Sequence, residues 1–161
     1  MEYLLVNHPL DCPVCDQSGE CTLQDHSYVH GTGHSEMEYN KRVYGWRDIG
    51  TFVQLERNRC IHCSRCDRFT REITGTDEFG MFNRGHELTI DTFSDRAMTN
   101  QFQGNMADIC PVGAITEREF RFKRRAWKLR KVPSVCNGCS TGCNITIEHD
   151  RNEVLRLKPR E

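Results

Sequence analysis

The stretch RCIHCSRCDRF, residues 59–69, contains three closely spaced cysteines that the fold has to accommodate. Its spacing Cys-x-x-Cys-x-x-Cys wraps one tight turn and directs the thiols of Cys60, Cys63 and Cys66 into one concavity. The 161-residue chain contains ten cysteines but only 37% hydrophobic residues, so the burial of apolar side chains alone would stabilise the fold only weakly. Clustered cysteines in such a chain indicate metal or redox chemistry rather than scattered disulfides.

Three thiols on one turn suit three corners of a cubane iron–sulfur cluster, and ferredoxins bind [4Fe–4S] clusters with this spacing. Their remote fourth cysteine often precedes a proline, as Cys110 precedes Pro111 here. Thr70 occupies the place just behind the run where a nearer cysteine would stand, so a distant ligand is needed. Zinc is the alternative, but it more often takes two ligands from each of two Cys-x-x-Cys knuckles.

A second run, HPLDCPVCDQSGEC at residues 8–21, supplies the three cysteines Cys12, Cys15 and Cys21 and leaves a fourth ligand to be found. His8 is the first candidate, because imidazole replaces thiolate on iron in some clusters and raises their potential. The alternatives left open by spacing are His26, Asp11 and an exchange in which Cys110 serves this run.

The third run, VCNGCSTGCNI, places Cys136, Cys139 and Cys143 near the end of the chain with no cysteine after them. We expect its fourth ligand to lie beyond Glu161 in a longer protein. His149 is a second candidate, and a labile cluster or no cluster at all are further alternatives.

Periodicity and turn residues predict short elements joined by loops. Residues 30–50 are polar and rich in glycine, so we expect them to be irregular. The predicted helices are residues 1–8 ending before Pro9, residues 21–29, about two turns within 61–75, and part of 95–108; the predicted strands are FGMFNRG (79–85) and ELTIDTF (87–93).

Alternating residues continue to the end of the chain in WKLRKVPSVC, CNITIEH and EVLRLKP, and DRNE at 150–153 predicts a hairpin turn. The expected fold class is therefore a small, irregular α+β fold stapled by iron–sulfur clusters, with a short antiparallel β hairpin at its C-terminus. We expect three segments: residues 1–50 around the first run, 51–125 around the second, and 126–161 around the third.

Residues 118–131, REFRFKRRAWKLRK, contain eight basic side chains and one acidic one. A solvated helix face or linker is the simpler interpretation, and contact with a phosphate-rich partner is the more specific alternative. The formal net charge of −1 indicates no polyanionic partner, so we expect no nucleic acid. No apolar window approaches a membrane span, and MEYLLV lacks the basic start of a signal peptide, which favours a cytosolic setting.

Three stretches in this order, HPLDCPVCDQSGECTLQD, RCIHCSRCDRF and DICPVGAIT, closely resemble the large iron–sulfur subunit of respiratory complex I, the NADH:quinone oxidoreductase. The tail VPSVCNGCSTGCNITIEHDRNEVLRLKPRE is similar to the start of the molybdopterin-oxidoreductase iron–sulfur domain of that subunit. The resemblance covers nearly the whole chain. The leading [2Fe–2S] domain and the large C-terminal domain of the family are not within it, so we expect an internal piece of such a subunit.

The resemblance implies a ligand role for each matched residue and two [4Fe–4S] clusters. One cluster would be bound by His8, Cys12, Cys15 and Cys21, and the other by Cys60, Cys63, Cys66 and Cys110. Cys136, Cys139 and Cys143 match three ligands of an extra cluster found in some bacterial members, whose fourth cysteine lies further along the chain.

The expected function is single-electron transfer in the peripheral arm of a complex I, with other peripheral-arm subunits as partners and the membrane reached only through them. The expected location is peripheral, on the cytoplasmic side of a bacterial inner membrane. No residue is expected to act as acid, base or nucleophile, and the chain alone would be only an electron carrier. The alternatives are a structural zinc module and an accessory segment of an iron–iron hydrogenase or a formate dehydrogenase.

Overall fold

The computed structural model describes residues 1–35 and 40–160. The chain begins with two helices joined by a loop, α1 (Glu2–Leu5) and α2 (Thr22–His30), which confirms both helices expected there. The stretch expected to be irregular holds one short strand, β1 (Trp46–Asp48), while its residues 36–39 lie outside the described residues.

A three-stranded antiparallel sheet in the order β1-β2-β5 forms the centre of the fold. Its middle strand is β2 (Val53–Glu56), and β5 (Ile115–Glu117) pairs with it so that Leu55 faces Ile115. The alternation in VQLE buries Val53 and Leu55 completely, as a strand with one face on a core requires.

The predicted hairpin in residues 79–93 is present as strands β3 (Phe79–Phe82) and β4 (Thr89–Thr92). Before it, α3 (Arg65–Arg68) continues as a π-helical turn to Ile73, which matches the predicted two turns of helix. Thr70 is fully buried there, and its hydroxyl donates to the carbonyl of Asp67 at 3.0 Å, so it is a packing residue.

Helix α4 (Gln103–Ile109) lies within the stretch expected to be partly helical and delivers Cys110 at its C-terminus. The buried core lies between the central sheet, the β3–β4 hairpin and helix α4. Its members are Ile49, Val53, Leu55, Cys66, Phe79, Ile90, Met98, Met106, Ala107 and Ile115, with Cys60, Phe69 and Cys110 packed against them. Three cysteines of the expected second site therefore border the main core.

The C-terminal segment is a second three-stranded antiparallel sheet, with strands β6 (Arg130–Val135), β7 (Asn144–Asp150) and β8 (Glu153–Pro159). The predicted hairpin at residues 150–153 is confirmed, and β6 adds a third strand to it. The sheet is tied to the first loop by buried Arg156, which donates to both Glu148 and Glu20. The fold class is α+β, as expected.

Residues 118–131 contain no α-helix, so the linker interpretation of this basic stretch fits and the helical one is wrong. After β5 the chain turns and makes one turn of 3₁₀ helix at Ala126–Lys128 before entering β6. Among the helices in residues 1–35 and 40–160, none is long and apolar enough to cross a membrane.

Glu78 fixes the loop before α4 and thereby the helix that carries Cys110. Its carboxylate accepts four hydrogen bonds from the amides and side chains of Thr99 and Asn100, at 2.6 to 3.3 Å. Burial alone would raise the pKa of Glu78, but these bonds lower it to about 2. The carboxylate form thus stabilises the folded state above its ordinary pKa of 4.5, and this stability is lost as pH falls from 4.5 towards 2.

We expect Glu78→Gln to lower the free energy of unfolding at pH 7 by roughly 1–2 kcal/mol, because hydrogen bonds to a charged group are replaced by weaker neutral ones. Urea unfolding of the cluster-loaded chain at pH 7 and at stepwise lower pH measures this, and the difference from wild type should shrink below about pH 4.5. Glu87→Gln, at an exposed carboxylate, is the matched control and should change little. A difference that stays constant with pH would contradict this role for Glu78.

Candidate metal centres

The turn that carries Cys60, Cys63 and Cys66 is shaped by two residues in left-handed backbone conformation. His62 has φ of 55° and Ser64 has φ of 60°, a region that non-glycine residues adopt only when the surroundings enforce it. These two reversals curl the chain between a 3₁₀ turn at Arg57–Arg59 and helix α3. The three thiols therefore face inward, as the spacing predicted.

Cys110 reaches the same place from the C-terminus of α4, where Pro111 prevents the helix from continuing. One cavity is lined by the side chains of the four-cysteine set, Cys60, Cys63, Cys66 and Cys110. Its walls are otherwise mostly apolar, with contributions from Leu55, Ile61 and Ile90. The structure thus brings together the second run and the distant cysteine.

Burial raises the pKa of Cys60 to about 12, and the neighbouring thiols of Cys110 and Cys63 act in the same direction. Burial likewise raises the pKa of Cys66 and of Cys110. Thiolates are the metal-binding form of cysteine, so these side chains require a positive charge in the cavity to ionise there. Iron ions supply that charge, and the donor set fits an iron–sulfur cluster.

Backbone groups lie close to the sulfur atoms of Cys60 and Cys110, and the thiol of Cys110 donates to the carbonyl of Val112 at 3.0 Å. The amide of His62 donates to Cys60 Sγ at 3.3 Å. Amides of Val112, Ala114 and Ile115 favour the ionised form of Cys110. Hydrogen bonds to cluster sulfurs are one of the means by which a protein sets a reduction potential.

The first run lies in a loop whose 3₁₀ turn, Cys12–Val14, is followed by turns and then by α2. Cys15 and Cys21 are buried, and a cavity is lined by His8, Cys12 and Cys21. The sulfur of Cys15 lies against Gly113, where an added Cβ atom would collide with it. Burial raises the pKa of both Cys15 and Cys21.

His8 and His34 both line the cavity that contains Cys12 and Cys21, but Nδ1 of His34 lies 3.2 Å from the carbonyl oxygen of Thr32. His8 is the better candidate ligand. Its Nδ1 atom is buried and has no hydrogen-bond partner in the described part of the chain, which a ring nitrogen facing a metal explains. Burial lowers the pKa of His8, so the ring is neutral, the form that binds metals. The buried, unpaired nitrogen and the three thiols fit an iron–sulfur cluster.

The alternatives for the fourth ligand lie elsewhere or are already engaged. His26 is exposed on α2 and stacks on His30, with ring centroids 6.0 Å apart. The carboxylate of Asp11 is bound by Arg59, whose Nη2 lies 2.7 Å from Oδ2. Cys110 lines the other cavity. We refer to His8, Cys12, Cys15 and Cys21 below as the histidine-containing set.

The third run lies in the loop between β6 and β7, where the amide of Cys136 donates to the carbonyl of Cys143 at 2.8 Å. Cys139 and Cys143 are exposed. Hydrogen bonds from the hydroxyl and amide of Thr141 lower the pKa of Cys139. His149 stands at the opposite end of β7, about 20 Å along a strand from Cys143, so it does not complete this set.

No group of three or more His, Cys, Asp or Glu side chains in the described ranges converges on the position of a single metal ion. The thiols of the four-cysteine set instead surround a cavity. A cubane presents separate iron corners to its ligands, whereas one zinc ion requires all four ligands around one point.

Residues of the basic stretch 118–131 hold the first cysteine loop in place through hydrogen bonds, a role that the sequence did not predict. Arg125 donates to the carbonyls of Pro13 and, at 2.7 Å, Cys15. The amide of Phe122 donates to Asp16 at 3.0 Å. Arg59 was missed as well, although its position directly before Cys60 was the available signal.

Three family models match consecutive parts of the chain. Residues 1–36 match the NADH-ubiquinone oxidoreductase-G iron-sulfur binding region. Residues 50–116 match the ferredoxin-like domain of NADH-quinone oxidoreductase subunit 3, and residues 129–161 match the molybdopterin oxidoreductase Fe4S4 domain.

Curated relatives agree with these models. The G subunit of the NADH-quinone oxidoreductase of Rickettsia bellii is 42% identical over 160 residues, and that of Rickettsia felis is 41% identical over the same length. Along almost its whole length, the chain is therefore similar to NADH-quinone oxidoreductase G subunits. The matches cover 99% of the chain but 24% of each relative, so the chain spans about a quarter of the length of these proteins.

A solved structure of a different enzyme has a similar fold. A crystal structure of an NAD+-reducing [NiFe]-hydrogenase in the H2-reduced state matches with a TM-score of 0.67 and 28% identity. The match covers 76% of this chain and 54% of the hydrogenase chain. Most of this chain thus shares its fold with about half of a hydrogenase chain.

We expect Gly113→Ala to displace the sulfur of Cys15 and to remove about half of the bound iron, because it would disturb only one of the two candidate cluster sites. Gly104→Ala is the matched control, since a Cβ atom at this position in α4 meets nothing within 4 Å. Iron and acid-labile sulfide per chain, measured after anaerobic purification, compare the two variants. Full iron content in Gly113→Ala would contradict the placement of Cys15.

Proposed function

We propose that this chain transfers single electrons through two [4Fe–4S] clusters within an NADH:quinone oxidoreductase. His8, Cys12, Cys15 and Cys21 would bind one cluster, and Cys60, Cys63, Cys66 and Cys110 would bind the other. The observation that carries the proposal is the cavity lined by all four thiols of the four-cysteine set, which unites residues 60–66 with residue 110. A bound cluster supplies one-electron redox chemistry that no side chain here provides.

The chain's own residues would hold these clusters, tune them and keep water away. Val112 and Ala114 are buried in an apolar group that includes Cys21, and Cys60 and Cys110 pack against the same group. Ligands of both sets therefore border one apolar region. This proximity supports the transfer of electrons between the two sites.

The third set, Cys136, Cys139 and Cys143, would bind a further [4Fe–4S] cluster with a fourth ligand from outside residues 1–161. Its thiols lie at one end of the C-terminal sheet, and two of them are exposed. That exposure supports completion of the site by another part of a longer protein. The three segments 1–50, 51–125 and 126–161 would each carry one of these sites.

In the complex, the chain would be an electron carrier and other peripheral-arm subunits would be its partners. We place it peripherally on the cytoplasmic side of a bacterial inner membrane, with the membrane reached through those partners. The structural match to an NAD+-reducing hydrogenase supports a second candidate, the same electron-carrying role in a hydrogenase. A structural zinc module is the outcome that would oppose both.

We expect the anaerobically purified chain to contain about eight iron and about eight sulfide, four of each per cluster. Low-temperature EPR of the reduced chain should show two signals. Cys110→Ser should abolish or alter the signal of the four-cysteine set, and His8→Cys should alter the other signal alone. These variants assign each signal to its ligands.

Cys139→Ser is the control for a cysteine of the third set, which lies outside the two sets that give these signals, and it should leave both signals unchanged. Zinc without sulfide in the wild-type chain would oppose the electron-transfer role. One signal that changes with both Cys110→Ser and His8→Cys would show that the two ligand sets are not separate.

A further inference from the structure

Arg59 is a buried cation placed at the junction of the two ligand sets. Its side chain is 6% exposed, although arginine is seldom buried without a partner. Nε and Nη2 both donate to Oδ2 of Asp11, at 3.2 and 2.7 Å. Arg59 directly precedes Cys60 and Asp11 directly precedes Cys12, so the pair joins the two cysteine runs across 48 residues.

The side chain of Arg59 points towards the histidine-containing set. A Cβ atom added at Gly113 would meet both the sulfur of Cys15 and Cδ of Arg59, so these two atoms lie next to the same point. Burial raises the pKa of Cys15, and the charge of Arg59 opposes this by favouring the thiolate. Burial lowers the pKa of His8; the charge of Arg59 acts in the same direction, and a hydrogen bond to the backbone of Arg59 acts in the opposite one.

The described lining of the cavity of the four-cysteine set does not include Arg59. The guanidinium of Arg59 instead donates to Asp11, in the loop of the first cysteine run. We therefore expect the charge of Arg59 to act more strongly on the histidine-containing set.

We propose that Arg59 is a positioning residue that raises the reduction potential of the cluster at His8, Cys12, Cys15 and Cys21 relative to the cluster at Cys60, Cys63, Cys66 and Cys110. This inference rests on the proposed function. One electron from the reductant adds one negative charge to the bound cluster, and no bond forms or breaks. A nearby buried positive charge favours that added charge, because screening by water is weak there.

Substitution of Asp11 provides a second test, because its charge is opposite to that of Arg59. Removing its carboxylate leaves the guanidinium unneutralised beside the same ligands. Removing the guanidinium leaves the carboxylate unpaired there. The two changes should therefore shift the potential in opposite directions, whereas a residue that only holds the loop together would not give shifts of opposite sign.

The experiment is a redox titration of the cluster-loaded chain monitored by EPR, with Arg59→Met, Arg59→Lys and Asp11→Asn compared with wild type. We expect Arg59→Met to lower the equilibrium constant for reduction of the histidine-containing set about tenfold, which is about 59 mV for one electron. Asp11→Asn should raise it, and Arg59→Lys, which keeps the charge, should stay near wild type. The potential of the four-cysteine set is the internal reference and should not move.

If Arg59→Met fails to assemble the first cluster, Asp11→Asn and Arg59→Lys decide the question. An unchanged or lowered potential in Asp11→Asn would overturn the proposal, and so would an Arg59→Lys potential shifted as far as that of a charge-free variant. Iron and sulfide analysis separates this from the proposed function. Absence of clusters in the wild-type chain refutes that function, whereas filled clusters with unmoved potentials refute only the role of Arg59.

Discussion

Buried thiols that share a cavity cannot all ionise there without a cation. The arrangement of the cysteine loops depends on that constraint. The left-handed residues His62 and Ser64 bend the chain so that three thiols converge. Helix α4 adds Cys110 at its C-terminus. Because 37% hydrophobic content gives a lean core, the bound cluster would contribute stability that apolar burial does not.

The two ligand sets are built as one unit rather than as separate modules. The Asp11–Arg59 ion pair joins their loops, and the apolar group around Val112 and Ala114 contacts cysteines of both. Arg125 of the basic stretch donates a hydrogen bond to the first cysteine loop. A basic side chain that suggested a binding surface in the sequence therefore stabilises a loop in the structure. Electron transfer needs this kind of fixed spacing between redox centres, with little movement of the surrounding protein.

Local patterns predicted the elements whose partners are close in sequence. The β3–β4 and β7–β8 hairpins follow from alternation and turn residues. For a more distant partner, the spacing of the second run and the pair Cys110-Pro111 indicated a common site, and these four cysteines line one cavity. Strand β1 was missed because three residues carry little periodicity, and its pairing with β2 decides its conformation. Spacing could not choose among the candidate fourth ligands of the first run, because burial of His8 and capture of Asp11 by Arg59 depend on tertiary packing.

The central claim, that metal holds the two cysteine loops in place, is tested most directly by amide hydrogen exchange on the cluster-loaded and metal-free chain. We expect protection at residues 60–66 and 110–115 to fall by orders of magnitude on metal removal, because buried thiols lose the charge that unites them. The hairpin of β7 and β8 serves as the internal reference for changes elsewhere in the chain. Equal protection of the cysteine loops with and without metal would contradict the claim.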